Sequence, residues 1–280
     1  MAVAEQVPGL EIAAIDSMQV YRRMDIGTAK PTATDRAAVR HHGLDLADAD
    51  DDFTVVRFVE AFDAAVASAS GPLLAVAGTG LYLRAILDRF EPPGQWPDIK
   101  EELMNDPDLA TLYQRLRALD PVAADRIDPG NRRRIVRALE VSVGGGRPFS
   151  SYGPGLDAYP PIDTMQLGLR WSRESLGHRV NRRVDEMMSN GLLDEVASLG
   201  RDRMSRTAQQ ALGYRELLDY IDGIGTLADT VELIKLRTRQ FAVRQERWFR
   251  RDPRIRWIDV TSDPLVALPE VLAAIEASCV

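Results

Sequence analysis

Over the first ninety residues, short apolar runs broken by Gly and Pro alternate with stretches of helical spacing. Met1 to Val7 has helical composition and stops at Pro8-Gly9, and Ile12 to Ile15 reads as a buried strand. From Phe53 to Ser70, Val55, Val56, Val59, Phe62 and Val66 recur at helical spacing until Gly71-Pro72 breaks the pattern. Leu73 to Ala77 is a second short strand, and Gly78-Thr79-Gly80 opens a helix from Leu81 to Asp88. Strands and helices that alternate in this way predict a parallel sheet in an α/β core.

The pattern changes at Glu91-Pro92-Pro93-Gly94-Gln95-Trp96-Pro97. From Gln95 to Asp163 the spacing is helical, most clearly over Leu109 to Leu119 and Asn131 to Val143, and Gly144-Gly145-Gly146 ends the second of these. Strand character returns at Met165 to Trp171. Helices are expected from Glu174 to Asn190 and from Leu192 to Leu199, with Gly191 between them, and a long one from Asp229 to Arg250. In the long helix Ile234, Phe241 and Trp248 recur every seven residues, which predicts a core-facing stripe with arginines opposite. Arg256 to Val260 is a last candidate strand. The expected organisation is a core built from 1–94 and 164–280, interrupted by a helical insertion over 95–163.

Composition changes this picture in two places. The 280 residues are 45% hydrophobic, enough for a sizeable core, yet no apolar stretch approaches the length of a membrane span. The first ten residues lack a basic leader, and the single cysteine, Cys279, can form no internal disulfide, so a reduced, cytoplasmic protein is expected. A net charge of −7 argues against nucleic acid as a total, but not as a distribution. Between Lys235 and Arg256, Lys235, Arg237, Arg239, Arg244, Arg247, Arg250, Arg251, Arg254 and Arg256 face only Glu246 and Asp252. A second basic knot joins Arg132, Arg133, Arg134 and Arg137. Asp45, Asp48, Asp50, Asp51 and Asp52 read as a solvated acidic loop.

The run Asp16-Ser17-Met18-Gln19 follows the first strand, and open α/β sheets bind ligands at the C-terminal ends of their strands. Alone, Asp16 reads either as a turn-capping residue or as a general base. Gly78-Thr79-Gly80 reads either as a tight turn capped by Thr79 or as a helix start open to a diphosphate. The knot at Arg132 to Arg137 is either a solvated helix face or a grip on phosphates. His41-His42 points its two rings in different directions with no third ligand at metal spacing, and no metal is expected there.

The run from Asp16 through Tyr21-Arg22-Arg23-Met24-Asp25-Ile26-Gly27-Thr28-Ala29-Lys30 to Pro31 closely resembles the signature of the tRNA dimethylallyltransferases. Ala77-Gly78-Thr79-Gly80-Leu81-Tyr82 is similar to a second family motif, with Ala77 in place of its first glycine. Asn131 to Val141, Asn181 to Val196, Gln209 to Glu216 and Arg244 to Pro253 follow in the family's order, so the resemblance spans residues 12 to about 260. It implies a P-loop NTPase-like parallel core with a helical insertion. The implied reaction transfers a dimethylallyl group from dimethylallyl diphosphate to N6 of adenosine 37, next to the tRNA anticodon. The adenosine would leave its stack, Asp16 would accept the N6 proton and Thr79 would position the reacting atoms. Ser17, Met18 and Gln19 would read the base, Gly78, Thr79, Gly80 and Gln210 would hold the diphosphate, and the resemblance implies Mg2+ bound by the diphosphate and by the family's phosphate loop. Arg133, Arg134 and Arg137 would grip the anticodon stem-loop of a tRNA bound by a monomer, with no membrane involved.

One departure from the family is large. Its phosphate loop, G-x-x-x-x-G-K-[S/T], occurs nowhere in these 280 residues, because Ala29, Ile99 and Ile234 precede the three lysines. The expectation is a start assigned downstream of the loop, with exposed strand edges, poor folding and little transferase activity. Two other classes fit the same residues: a non-catalytic tRNA-binding remnant, and a small-molecule P-loop kinase or adenylate prenyltransferase.

Overall fold

The computed structural model describes residues 1–89, 93–152, 158–261 and 263–278. The chain divides into two compact units, one formed by 1–87 with 161–280 and the other by 88–160. Glu91 and Pro92, where the sequence pattern changes, and Cys279 lie outside the described residues.

The first unit begins with α1 (Ala2–Gln6), β1 (Glu11–Ile15), α2 (Ala33–Ala38), β2 (His41–His42), α3 (Val55–Ser68), β3 (Leu73–Ala77) and α4 (Gly80–Leu87). The second contains α5 (Pro97–Asn105), α6 (Leu109–Leu119), α7 (Pro121–Arg126) and α8 (Arg132–Gly144). The first unit resumes with β4 (Gln166–Trp171), α9 (Arg173–Ser189), α10 (Leu192–Leu199), α11 (Tyr214–Ile221), α12 (Leu227–Phe249), β5 (Ile255–Val260) and α13 (Leu268–Ser278). No helix among the described residues is long and apolar enough to cross a membrane.

Local chemistry sets most helix starts. Thr54, Asp108, Asp120, Asn131, Ser172 and Thr226 each accept a backbone N–H from the first turn of the helix they precede. Thr32 and Asp35 form a full capping box on α2. Gly191, at φ 93°, makes the left-handed step that turns α9 into α10.

All the strand pairings are parallel, in two sheets ordered β2-β1-β3 and β4-β5. β1 is buried along its whole length and pairs with β3 from Glu11–Leu73 to Ile15–Ala77. β3 differs from the buried strand that its composition predicts. Among the described residues it has one strand neighbour, and Val76 is 54% exposed. β4 likewise pairs only with β5, and Leu169 stands in solvent.

The first unit's core centres on Ile15, Tyr21, Met24, Phe58, Leu192, Tyr214 and Leu217. The second unit has its own core, in which Leu112 and Leu116 of α6 meet Ile135 and Leu139 of α8. The seven-residue stripe on α12 is only partly a core stripe: Ile234 is buried, Trp248 is half-buried, and Phe241 is 41% exposed beneath the Arg244 guanidinium. The acidic loop is also paired rather than simply solvated. Asp45 takes both Lys30 and Arg36 at 2.6 Å, Asp48 takes Arg22, and Asp51 takes Arg57.

At the start of β1, Glu11 is buried beneath His42. Its Oε1 accepts the Ser70 N–H and hydroxyl at 2.9 and 3.0 Å, while Oε2 faces His42 Nε2 at 2.5 Å and Arg40 at 3.5 Å. The Ser70 N–H, then His42, outweigh burial and hold the Glu11 carboxyl at about 2. Because the folded pKa lies below the ordinary value, this stabilisation is present above about pH 4.5 and is lost as pH falls towards 2. Thermal denaturation followed from pH 5 to pH 2 therefore has a shallower acid limb in Glu11→Gln than in the parent.

Candidate active site

β1 and β3 end side by side, and the two segments that follow them are tied together. The Ile15 carbonyl accepts both the Gly78 N–H at 3.0 Å and the Thr79 N–H at 3.2 Å. Close by, Thr79 Oγ1 accepts the Ser17 N–H at 3.0 Å and donates to Ser17 Oγ at 3.3 Å. The sequence motifs around Asp16 and Thr79 thus form one site at the C-terminal edge of the sheet.

Asp16 is half-buried, and its two oxygens have different tasks. Oδ1 accepts the Met18 N–H at 2.8 Å and the Gln19 N–H at 3.3 Å, so the residue closes its own turn. Oδ2 accepts no hydrogen bond among the described residues. Gly78 faces it so closely that a Cβ there would sit 2.9 Å away. The turn-capping reading of Asp16 holds for Oδ1, and Oδ2 is left with free lone pairs among the described residues. Nearby, burial first and the charge of Asp16 among the lesser causes push the Tyr82 phenol to about 12. Tyr82 is therefore neutral at ordinary pH.

At Gly78, Thr79 and Gly80, where a diphosphate cradle is expected from the sequence, the turn has partners of its own. The first two N–H groups are committed to Ile15, and the glycine at position 80 serves packing instead. A Cβ on Gly80 would lie 2.1 Å from Trp248 Nε1, so α12 lays its indole directly on the start of α4. Gln245, one turn earlier on α12, donates to the Gly78 carbonyl at 2.6 Å. Gln210 is exposed, and its Oε1 faces Arg215 at 3.4 Å; no hydrogen bond among the described residues joins it to 78–80.

Gln19 is better placed. Its Nε2 donates to the Thr28 and Ala29 carbonyls at 2.9 and 3.3 Å, and its Oε1 is left as an acceptor. Arg183 on α9 lies within a family motif, yet sequence reasoning gave it no role. Its charge acts on Asp16, and no ion pair takes its guanidinium among the described residues. Although exposed to solvent, it stands in enough protein that burial lowers its pKa. It lines a cleft of about 960 Å3, together with Arg22, Arg23, Met187 and Asn190. Only its spacing from Glu186, Met187 and Asn190 on one helix face could have pointed to it.

The basic patches separate once their partners are visible. On α8, Arg133 and Arg134 are exposed and hold no partner among the described residues. Arg137 was expected to join them, but it is tied down. It donates to the Pro93 carbonyl at 2.7 Å and pairs at 2.9 Å with Glu140, which is 1% exposed. A buried carboxylate needs a cation beside it, and Arg137 supplies that cation to Glu140. In the other patch, Lys235, Arg237, Arg250, Arg254 and Arg256 all lie in ion pairs, with Asp185, Glu216, Glu246, Asp252 and Glu270.

Among the described residues no group of three or more His, Cys, Asp or Glu could hold a metal ion, and Asp16 is the single carboxylate beside Ser17 and Thr79. This donor set does not make a Mg2+ site by itself, so no step of the reaction is routed through one.

The description "IPP transferase" belongs to the family model that matches residues 19–252. The chain belongs to this family. It is 40% identical to a tRNA dimethylallyltransferase of Bifidobacterium longum, over 94% of this chain and 81% of that protein. The crystal structure of a tRNA isopentenylpyrophosphate transferase from Bacillus halodurans superposes with a TM-score of 0.70 at 35% identity, covering 99% of this chain and 90% of that one. A eukaryotic dimethylallyltransferase, seen in crystallographic snapshots acting on tRNA, superposes with a TM-score of 0.76 at 25% identity, covering 98% and 72%. The P-loop NTPase-like fold expected from the sequence is the fold of these neighbours.

Replacing Gly80 with Ala drives a methyl into the Trp248 indole, and overpacking of this kind costs about 1–3 kcal/mol. Urea denaturation of Gly80→Ala checks this, with a lower midpoint expected at an unchanged slope.

Proposed function

We propose that the chain transfers a dimethylallyl group from dimethylallyl diphosphate to N6 of an adenosine beside the anticodon of tRNA. One observation carries the reading: the free Oδ2 of Asp16, at the C-terminal end of β1, beside the Ser17–Thr79 hydroxyl pair and under the charge of Arg183. An exocyclic adenine amine is a weak nucleophile because its lone pair is delocalised into the ring. As the N6–C bond forms and the C–O bond to diphosphate breaks, Asp16 Oδ2 accepts the N6 proton and diphosphate leaves with the bonding pair. General-base help of this kind is worth about 10²- to 10⁴-fold.

The base must leave its stack to reach the carboxylate. Gln19 Oε1 offers it a second acceptor, which suits an amine and opposes a carbonyl. Thr79 acts by holding Ser17. Negative charge grows on the departing diphosphate, and Arg183 is the cation that the described site offers it. Mg2+, where bound, would come with the diphosphate and neutralise part of that charge. Arg133 and Arg134 take phosphates of the anticodon stem-loop.

The test uses a labelled anticodon stem-loop. Replacing both Arg133 and Arg134 by Ala weakens binding. It also lowers the slope of log affinity against log salt by about 0.7 for each phosphate of single-stranded RNA that is no longer neutralised. Asp16→Asn keeps the affinity and lowers single-turnover transfer of labelled dimethylallyl by about 10²- to 10⁴-fold. Equal transfer by Asp16→Asn and the parent would remove Asp16 as the base. Binding unaffected by salt or by the paired arginine change would remove the RNA reading.

A further inference from the structure

The segment between Met24 and Lys30 forms one wall of the cleft and carries the two carbonyls that orient Gln19. Its backbone is not relaxed. Ala29 within it at φ 50°, and Arg23 just before it at φ 66°, occupy the left-handed region, which L side chains with a Cβ rarely adopt. Such a conformation persists where surrounding structure over-determines it, and here the determinant comes from far along the chain.

Glu195, in the first turn of α10, turns its carboxylate towards three successive backbone amides. Oε2 accepts the Asp25 and Ile26 N–H groups at 2.9 and 2.8 Å, and Oε1 accepts the Gly27 N–H at 3.2 Å. Oε1 also accepts the Tyr214 hydroxyl at 2.5 Å. A run of amides converging on one anion is an anion-binding nest, and in this protein a side chain fills it. The same tyrosine supports the loop from below: a Cβ on Gly27 would lie 2.4 Å from Tyr214 Cε2, so only glycine lets the backbone rest on that ring.

The hold passes on through the turn. Ala29 N–H donates to the Ile26 carbonyl and Lys30 N–H to the Asp25 carbonyl, both at 3.0 Å, and Thr28 Oγ1 donates to the Met24 carbonyl at 2.6 Å. The Lys30 ammonium is buried between Asp25, Asp45 and the Tyr21 carbonyl and pins the far end. The Thr28 and Ala29 carbonyls are thereby fixed, and they take the two N–H bonds of Gln19 Nε2.

We propose that Glu195, backed by Tyr214, is a positioning residue for base selection, because it holds the 25–29 loop in the shape that turns Gln19 Oε1 towards the base. The proposal rests on the adenosine reading above and adds a determinant outside the site. Without the carboxylate, the strained loop relaxes, the two carbonyls move, and the Gln19 amide can rotate to offer N–H instead of oxygen. A base with a carbonyl in place of the amine is then tolerated.

Two readouts test this on the full chain. The first is the Gln19 side-chain amide pair in a 1H–15N spectrum, assigned by its loss in Gln19→Glu. Glu195→Gln shifts that pair and speeds its exchange with solvent, and Tyr214→Phe does so to a smaller extent. The second is the ratio of affinities for anticodon stem-loops carrying adenosine or guanosine at the target position. The parent favours adenosine by about ten- to a hundredfold, the range for one well-placed amide contact to a base. Glu195→Gln brings the ratio close to one, by losing affinity for the adenosine loop and gaining it for the guanosine loop.

A purely structural glutamate would lower the melting temperature of Glu195→Gln and leave both readouts as they are, and that result overturns the proposal. If Glu195→Gln does not fold, Tyr214→Phe decides, and unmoved Gln19 signals in it are equally fatal. A parent with no preference between the two loops while the Gln19 signals still move in Glu195→Gln refutes the adenosine reading itself. Unmoved signals alongside a preserved preference refute only the coupling to Glu195.

Discussion

The site depends on one carbonyl. Ile15, the last residue of β1, accepts the amides of both Gly78 and Thr79, and this locks the ends of two adjacent parallel strands at the point where both chains leave the sheet. Because the strands end together, Asp16 and Thr79 are placed side by side. Ser17 can then bond to Thr79, and Gly78 can approach the Asp16 carboxylate. A parallel pair whose ends were displaced by a residue would turn these side chains to opposite faces. The same lock gives the glycines at 78 and 80 structural tasks. One amide is consumed by the lock, and the other glycine makes room for Trp248.

Much of the fold could be read from the sequence, because the elements that matter are written locally. β1, β3 and β4 are short apolar runs between Gly, Pro or polar residues, and most of the longer helices carry a capping side chain one residue before their start. α6 and α10 have the bounds that their periodicity predicts. β2 escaped because two residues have no period. The exposure of Val76 and Leu169 escaped because an apolar run looks the same whether a neighbour covers it or not.

The site was legible in part, and the boundary has a physical meaning. Asp16, Thr79 and Gln19 stand in short motifs beside strand ends, so topology alone brings them together. Arg183 and Glu195 act on the site from 167 to 170 residues away, counted from Asp16 and from the loop amides that Glu195 holds. Nothing in local pattern marks a carboxylate that folds back onto three amides. Arg137 shows the converse case. It lies in a basic cluster, but the buried Glu140 three residues later claims it, and burial is not visible in composition.

A chain with a net charge of −7 can still hold RNA, for a reason that totals conceal. Ion pairing cancels charge locally, and a cation about 3 Å from a carboxylate contributes little field beyond a Debye length of about 8–10 Å. In the largest basic cluster of the sequence, on α12 and the segment after it, Lys235, Arg237, Arg250 and Arg256 are cancelled in this way by carboxylates from α9, α11, α13 and α12 itself. The smaller cluster on α8 keeps two guanidinium groups exposed and unpaired, beside one that the fold has used. The surface a polyanion meets is therefore set by the cations that the fold leaves over. The same logic applies at the site itself, where the charge of Arg183 acts on Asp16 and no ion pair takes it among the described residues, while Lys30 and Arg36 are neutralised by Asp25 and Asp45. The acidic residues that lower the total charge confine positive potential to a few positions, and this favours a polyanion that can place its phosphates at those positions over one that cannot.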